Sequence, residues 1–337
     1  MNIYIMCMEN NESGLNSFTN SLGDIITGIP EPIRKNFFKA FSQLCTAAVD
    51  VPVAWLEGKA DEIRANTSAR IQIIKSSGNI ISDNLDIPPE YIAKASSKYA
   101  SKIIKEQMNL DSITINAAKE LKSSVEVDDN SSSDEISEDW LNEFENIARL
   151  KYSEEMKIVF GKILSGEIRR PGTFSIRTVK VIAQLDNEAA KLFQRFCSIA
   201  ISLRDYCDIR DARVVTFKGS AASNSLSKYR LGFDNLNILE ECGLIISEYH
   251  SYMPYSDCVE FENGNYYACI RFQNRNYILR PIEREKMDRE LKLYGVRLTN
   301  VGKELLDIIP IEQNEVYTRD LVDFLKEKSF NLVEIEI

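Results

Sequence analysis

Histidine is nearly absent: His250 is the only one among 337 residues. Imidazole zinc sites, His-carboxylate iron sites and multi-His proton relays each gather several rings at one place, so none of them can be built here. A Ser-His-Asp or Cys-His centre could use His250 alone. No Gly-x-Ser-x-Gly nucleophile turn occurs, however, and the stretch 247–254 around His250 reads as loop or strand. Neither a Walker-type phosphate loop nor a Gly-x-Gly-x-x-Gly fingerprint is present, which removes the standard phosphate cradles.

The seven cysteines, Cys7, Cys45, Cys197, Cys207, Cys242, Cys258 and Cys269, are odd in number, widely spaced and without a Cys-x-x-Cys pair. They predict reduced, mostly buried thiols. Long apolar runs are missing too. The longest uncharged stretches, 13–23 and 40–49, fall short of the roughly 18 to 20 residues that span a bilayer. The first residues carry neither a basic flank nor a cleavage site, so they do not read as a secretory signal. The expectation is a cytoplasmic protein with no transmembrane segment. It assigns no catalytic residue, no metal ligand and no cofactor.

What is present describes a globular chain of two or three domains: 44% apolar and 27% charged residues, enough for a real core. Forty-one Lys plus Arg against 51 Asp plus Glu leave a net charge of −10, which argues against a protein that binds polyanions over its whole surface. A local basic patch stays open.

Residues 1–32, rich in Asn, Ser and Gly and broken at Pro30 and Pro32, read as a flexible arm. Apolar residues recur every three or four positions from Ile33 through Phe37, Phe41 and Leu44. The spacing continues from Val53 through Leu56, Ile63 and Ile74. Pro89 opens another helix, and Asp111 can cap the next, so 33–124 forms an N-terminal helical region. Acids and bases nearly balance over residues 1–125, which favours bundle packing and disfavours membrane-surface contact. Acids and serines over 125–139 mark a linker.

Ordered patterning resumes in a central helical bundle, 140–205, with caps at Ser137, Ser175 and Asp186. Its segments WLNEFENIA (140–148), SEEM (153–156), FGKILSGEI (160–168), PGTFSIRT (171–178) and LDNEA (185–189) carry a resemblance. They resemble an uncharacterised bacterial domain family that is similar to the abortive-infection alpha proteins, over about residues 130–310. The resemblance implies a bacterial protein linked to phage defence. It supplies no activity and no catalytic residues.

Read from the residues themselves, Trp140, Phe160, Gly161, Gly166, Pro171 and Gly172 form a structural motif of aromatic burial and close turns. Arg169, Arg170 and Arg177, near Glu167, could bind an anion, with an ordinary ion-pair cluster the plainer reading. Asp205, Asp208 and Asp211 could recruit a metal, but the spacing of the last two predicts a solvated helix end.

The remaining chain looks like a winged-helix-like α+β domain over 206–310, followed by a C-terminal helix and strand over 311–337. A short helix from Asp234 stops at Gly243, a hairpin joins 266–272 to 277–282, and a helix follows Thr299 and Gly302. The recognition-helix position holds Asp234, Glu240 and Glu241 and no base, which repels phosphates. The wing, with Arg271, Arg275 and Arg280, is basic and interleaved with aromatics.

The expected class is therefore mainly α: helical region, helical bundle and winged-helix-like domain. The expected role is non-enzymatic protein recognition or assembly in phage defence, with a protein partner or a second copy. A nucleic-acid-binding regulator using the basic wing is the alternative.

Overall fold

The structure, a computed structural model, describes residues 29–45, 89–123, 134–205, 208–217, 224–248, 251–262, 264–285, 287 and 290–336. Residues 1–28 of the arm expected over 1–32, the helix expected over 53–74, the linker up to 133, His250, Cys7, Cys207, Lys286 and Arg289 lie outside the described residues. The chain divides into two units, Met1–Val179 and Lys180–Ile337.

In the first unit, α1 (Glu31–Leu44) begins after Pro30 and buries Ile33, Phe37, Ala40, Phe41 and Leu44. Helix α2 (Pro89–Ser123) runs 35 residues without a break. Asp111 lies inside it, so the separate capped helix expected there is not formed. Its carboxylate accepts from Gln107 one turn back at 3.0 Å, and burial of Leu110, Ile113 and Ala117 on either side carries the helix through that position.

Helices α3 (Glu138–Ala148) and α4 (Glu154–Arg169) start on Ser137 and Ser153, whose hydroxyls accept the Trp140 and Met156 N–H groups. Asn36 ties α1 to this pair: its amide donates to Ile168 O at 3.2 Å and accepts the Ile136 N–H at 3.0 Å. A Cβ on Gly161 would meet Asn116 Cβ at 2.6 Å, so glycine is what lets α4 lie close on α2. Helix α5 (Ile176–Gln184) runs across the division between the units.

The second unit opens with α6 (Asn187–Ile199), capped by Asp186, and then builds a sheet. Its strands are β1 (Ile201–Asp205), β2 (Asp208–Val215), β3 (Ile245–Ile246), β4 (Tyr252–Pro254), β5 (Cys269–Phe272), β6 (Arg275–Pro281), β7 (Lys292–Leu298) and β8 (Phe330–Ile335). The order is β3-β7-β2-β1-β5-β6-β8, with β4 also on β7, and the strand pairs are antiparallel. Three helices join them: α7 (Phe233–Glu241), α8 (Asn300–Leu306) and α9 (Glu315–Glu327).

This sheet overturns the mainly α expectation: the protein is α+β. It also corrects the winged-helix-like domain. The supposed wing, β5 and β6, is an internal pair, flanked by β1 on one side and β8 on the other, instead of a free hairpin beside a helical core. Asp205, Asp208 and Asp211 lie on β1 and β2, not on a helix end.

Buried Arg213 and Asp211, two apart on β2 and therefore on one face, form a bidentate pair at 2.6 and 2.8 Å. Gly295 on β7 lies in close contact with β2. A Cβ there would lie 2.0 Å from Val214 O, so Gly295→Ala must push β7 off β2. The expected loss is about 3 kcal/mol. It is read as faster amide exchange at Thr216, whose N–H donates to Tyr294 O at 3.0 Å. Unchanged protection of that amide would refute the argument.

Candidate functional site

Helix α9 is fixed at its start by Asn314, whose side chain accepts the Tyr317 N–H at 3.0 Å. Tyr317, Leu321 and Leu325 recur every four residues and are buried. That places Asp320, Asp323 and Glu327, three and four apart, together on another face. The chain reaches this face a second time through the turn Ser227–Tyr229. It is closed by Arg230 in the left-handed region, at φ 59°. Phe217 arrives from the end of β2.

Together these elements line a cleft of about 220 Å³, walled by Phe217, Tyr229 and Phe324 with Asp320, Asp323, Glu327 and Lys228 around them. The aromatic wall is continuous. Phe217 lies 5.4 Å from Phe324 and 5.0 Å from Tyr317, and Tyr229 meets Tyr317 edge-on at 4.9 Å. Tyr317, buried behind this wall, is held to β2: its hydroxyl accepts the Val215 N–H at 2.8 Å.

The charges are ordered around Asp320. Tyr229 Oη donates to Oδ2 at 2.5 Å, and Lys228 Nζ lies 2.6 Å from the same oxygen and 4.8 Å above the Tyr229 ring. Burial, and then the Asp320 carboxylate, pushes the Tyr229 phenol up to about 12. Burial alone would raise Asp320, but the hydrogen bonds from Lys228 and Tyr229 outweigh it and hold that carboxyl low. The hydrogen bond to Asp320 raises Lys228 in turn. Among the described residues Asp323 and Glu327 have no ion pair or hydrogen bond. Three carboxylates against one ammonium leave two negative charges facing aromatic walls, a setting that attracts an organic cation.

The arginines singled out in the sequence are placed elsewhere. Arg169 ends α4, Arg170 follows it, and Arg177 lies in the first turn of α5. Glu167, close by, is buried and turns its carboxylate to backbone: it accepts the N–H groups of Gly172 at 2.7 Å and Phe174 at 2.9 Å. Arg271 lies on β5. Arg275 pairs with Glu334 at 3.0 Å, and Arg280 forks onto Glu260 at 2.7 and 3.0 Å. Asp205 pairs with Arg210 at 2.8 Å, and Asp211 with Arg213. Among the described residues no group of three His, Cys, Asp or Glu is arranged to hold a metal ion. Burial pushes the thiols of Cys45, Cys197 and Cys258 up.

Sequence reading passed over Phe217, Lys228, Tyr229, Asp320, Asp323 and Glu327. The one signal available was the spacing of the three acids along a helix.

The chain is thus an α+β protein whose antiparallel sheet supports a small, acidic, aromatic-walled cleft. Residues 93–322, from within α2 to within α9, match the family model described as "Protein of unknown function (DUF2806)", and the chain belongs to that family. No match was found among curated proteins or among solved structures.

Proposed function

We propose that the chain is a non-enzymatic recognition component that seats a basic side chain of a protein partner in the α9 cleft. The observation that carries this reading is Lys228, which already displays the binding mode: ammonium on Asp320 and over the Tyr229 ring, with two further carboxylates left unanswered. Size supports it as well. At about 220 Å³ the cleft is smaller than the roughly 300–1,000 Å³ of a typical small-molecule pocket, and suits one long side chain.

The phage-defence setting rests on the resemblance of about residues 130–310 to an uncharacterised bacterial domain family that is similar to the abortive-infection alpha proteins. A nucleic-acid-binding regulator ranks second, because Glu334 and Glu260 already answer Arg275 and Arg280 and leave less positive charge for a polyanion.

Calorimetric titration of the full chain with blocked arginine, blocked lysine and neutral norleucine amides tests the reading. The two cations are expected to bind and norleucine not to. Asp323→Asn with Glu327→Gln should weaken the cations about tenfold. Equal binding of norleucine, or indifference to the two substitutions, would reject the proposal. In cells challenged with a phage panel, the same double substitution should lower protection.

A further inference from the structure

Helix α2 changes character along its length. Asn109, Leu110, Ile113, Thr114, Ala117, Ala118 and Leu121 are buried, whereas none of the described side chains over 90–108 is. The apolar face does not stop where burial stops. Ile103, Leu110 and Ala117 follow one another at seven-residue spacing, and Tyr99, Ile103 and Ile104 prolong that face into solvent at 68%, 41% and 60% exposure.

The opposite face is basic. Lys94, Lys98, Lys102 and Lys105 fall within an arc of roughly 80° at helical spacing, and all four are exposed. The charge balance over residues 1–125 conceals this local excess, because residues 91–105 hold these four lysines and no acid. Glu106, just beyond, pairs with Lys102 and with Arg149 at 3.7 Å each.

We propose that the N-terminal half of α2 lies in the interface of an anionic lipid bilayer. Its apolar side would enter the headgroup boundary, with its lysines on the lipid phosphates. Charge complementarity selects this occupant. A cationic helix with an exposed apolar side is satisfied on both faces by an anionic membrane surface. Nucleic acid would answer the lysines and leave Tyr99, Ile103 and Ile104 in water. A second copy would cover the apolar side but leave the lysines, on the opposite face, without an anionic counterpart. Among the described residues no helix is long and apolar enough to cross a membrane, so the contact is one of lying on the surface. The inference is independent of the α9 cleft.

The test is cosedimentation of the full chain with vesicles of phosphatidylcholine alone and of phosphatidylcholine mixed with phosphatidylglycerol, at low and high salt. Binding is expected on the anionic vesicles only and should fall as salt rises. Lys94→Gln with Lys98→Gln and Lys105→Gln should reduce it about a hundredfold. Ile103→Ser with Ile104→Ser should reduce it about tenfold at low salt. These positions are exposed, so the variants keep the fold. No binding to anionic vesicles, equal binding to neutral ones, or indifference to either variant would overturn the proposal. So would a dimer abolished by Ile103→Ser with Ile104→Ser, or duplex DNA binding abolished by the lysine variant.

Discussion

Arg213→Ala is expected to destabilise the sheet unit by about 3–5 kcal/mol. Arg213 is only 2% exposed and carries a full charge into the centre of the sheet. It is tolerated because every side of its guanidinium is answered. Nε and Nη2 fork onto Asp211, and Nη1 donates to Leu293 O at 2.8 Å and Ser251 O at 3.2 Å. The Tyr255 hydroxyl completes the group by donating to Asp211 Oδ2 at 3.0 Å. Alanine leaves Asp211 as a buried charge with its cation gone and two carbonyls without their donor, which is the costly way to break a buried pair.

Removing both charges together, as Arg213→Met with Asp211→Leu, should recover most of the loss, because the desolvation cost disappears with the pair. The readout must belong to this unit. Trp140, the tryptophan among the described residues, lies in the other one, so hydrogen exchange over 201–215 is the measurement. A single-variant loss below about 1 kcal/mol would show that the pair contributes no more than an exposed one.

How the strand carrying Arg213 escaped sequence reading has a physical cause. Residues 201–204 and 211–215 are buried without alternation, since both faces of these strands are covered. A short, wholly buried strand has no period of two and cannot be told from a buried helical turn by spacing. Helices on one-sided faces were legible. Ser137, Ser175 and Asp186 occupy the cap positions that their side chains announce, whereas Asp234, read as a cap, lies in the first turn of α7 behind Gly232. The hairpin of β5 and β6 was also legible from its residues, and Gln273 and Asn274 turn it at φ 48° and 63°. The terminal strand β8 was legible as a strand, but the pairing of β1 and β8 with the hairpin was not, because they come from positions tens of residues away on either side.

The cleft was hidden for the same reason. Phe217, Tyr229 and Phe324 belong to three separate segments, and only the fold brings them within one aromatic cluster. The acids of α9 were readable as a helical face, but a solvated face and a cation-binding wall have the same spacing. What distinguishes them is the turn that sets Lys228 and Tyr229 opposite.

Trp140→Ala should cost the first unit about 3–5 kcal/mol, most of it from lost aromatic burial. The ring stacks on Phe144 at 4.9 Å and 14°, and Phe144 meets Phe160 at 5.6 Å, so α3 and α4 share one aromatic column. The indole also holds the loop after α4: Nε1 donates to Phe174 O at 2.6 Å, while Glu167 grips the N–H groups of Gly172 and Phe174. Phe174 cannot shift freely, since its ring fills the space at Gly166, where a Cβ would meet it at 2.5 Å.

Trp140→Phe separates the two contributions. It keeps the stack and leaves one buried carbonyl unanswered, for an expected loss of about 1–2 kcal/mol. Because the indole and Glu167 restrain the same residue, Trp140→Phe and Glu167→Ala should be coupled by roughly 1 kcal/mol in a double-mutant cycle. Strict additivity would mean that the loop holds its shape without the clamp, and that the tryptophan acts through its ring alone.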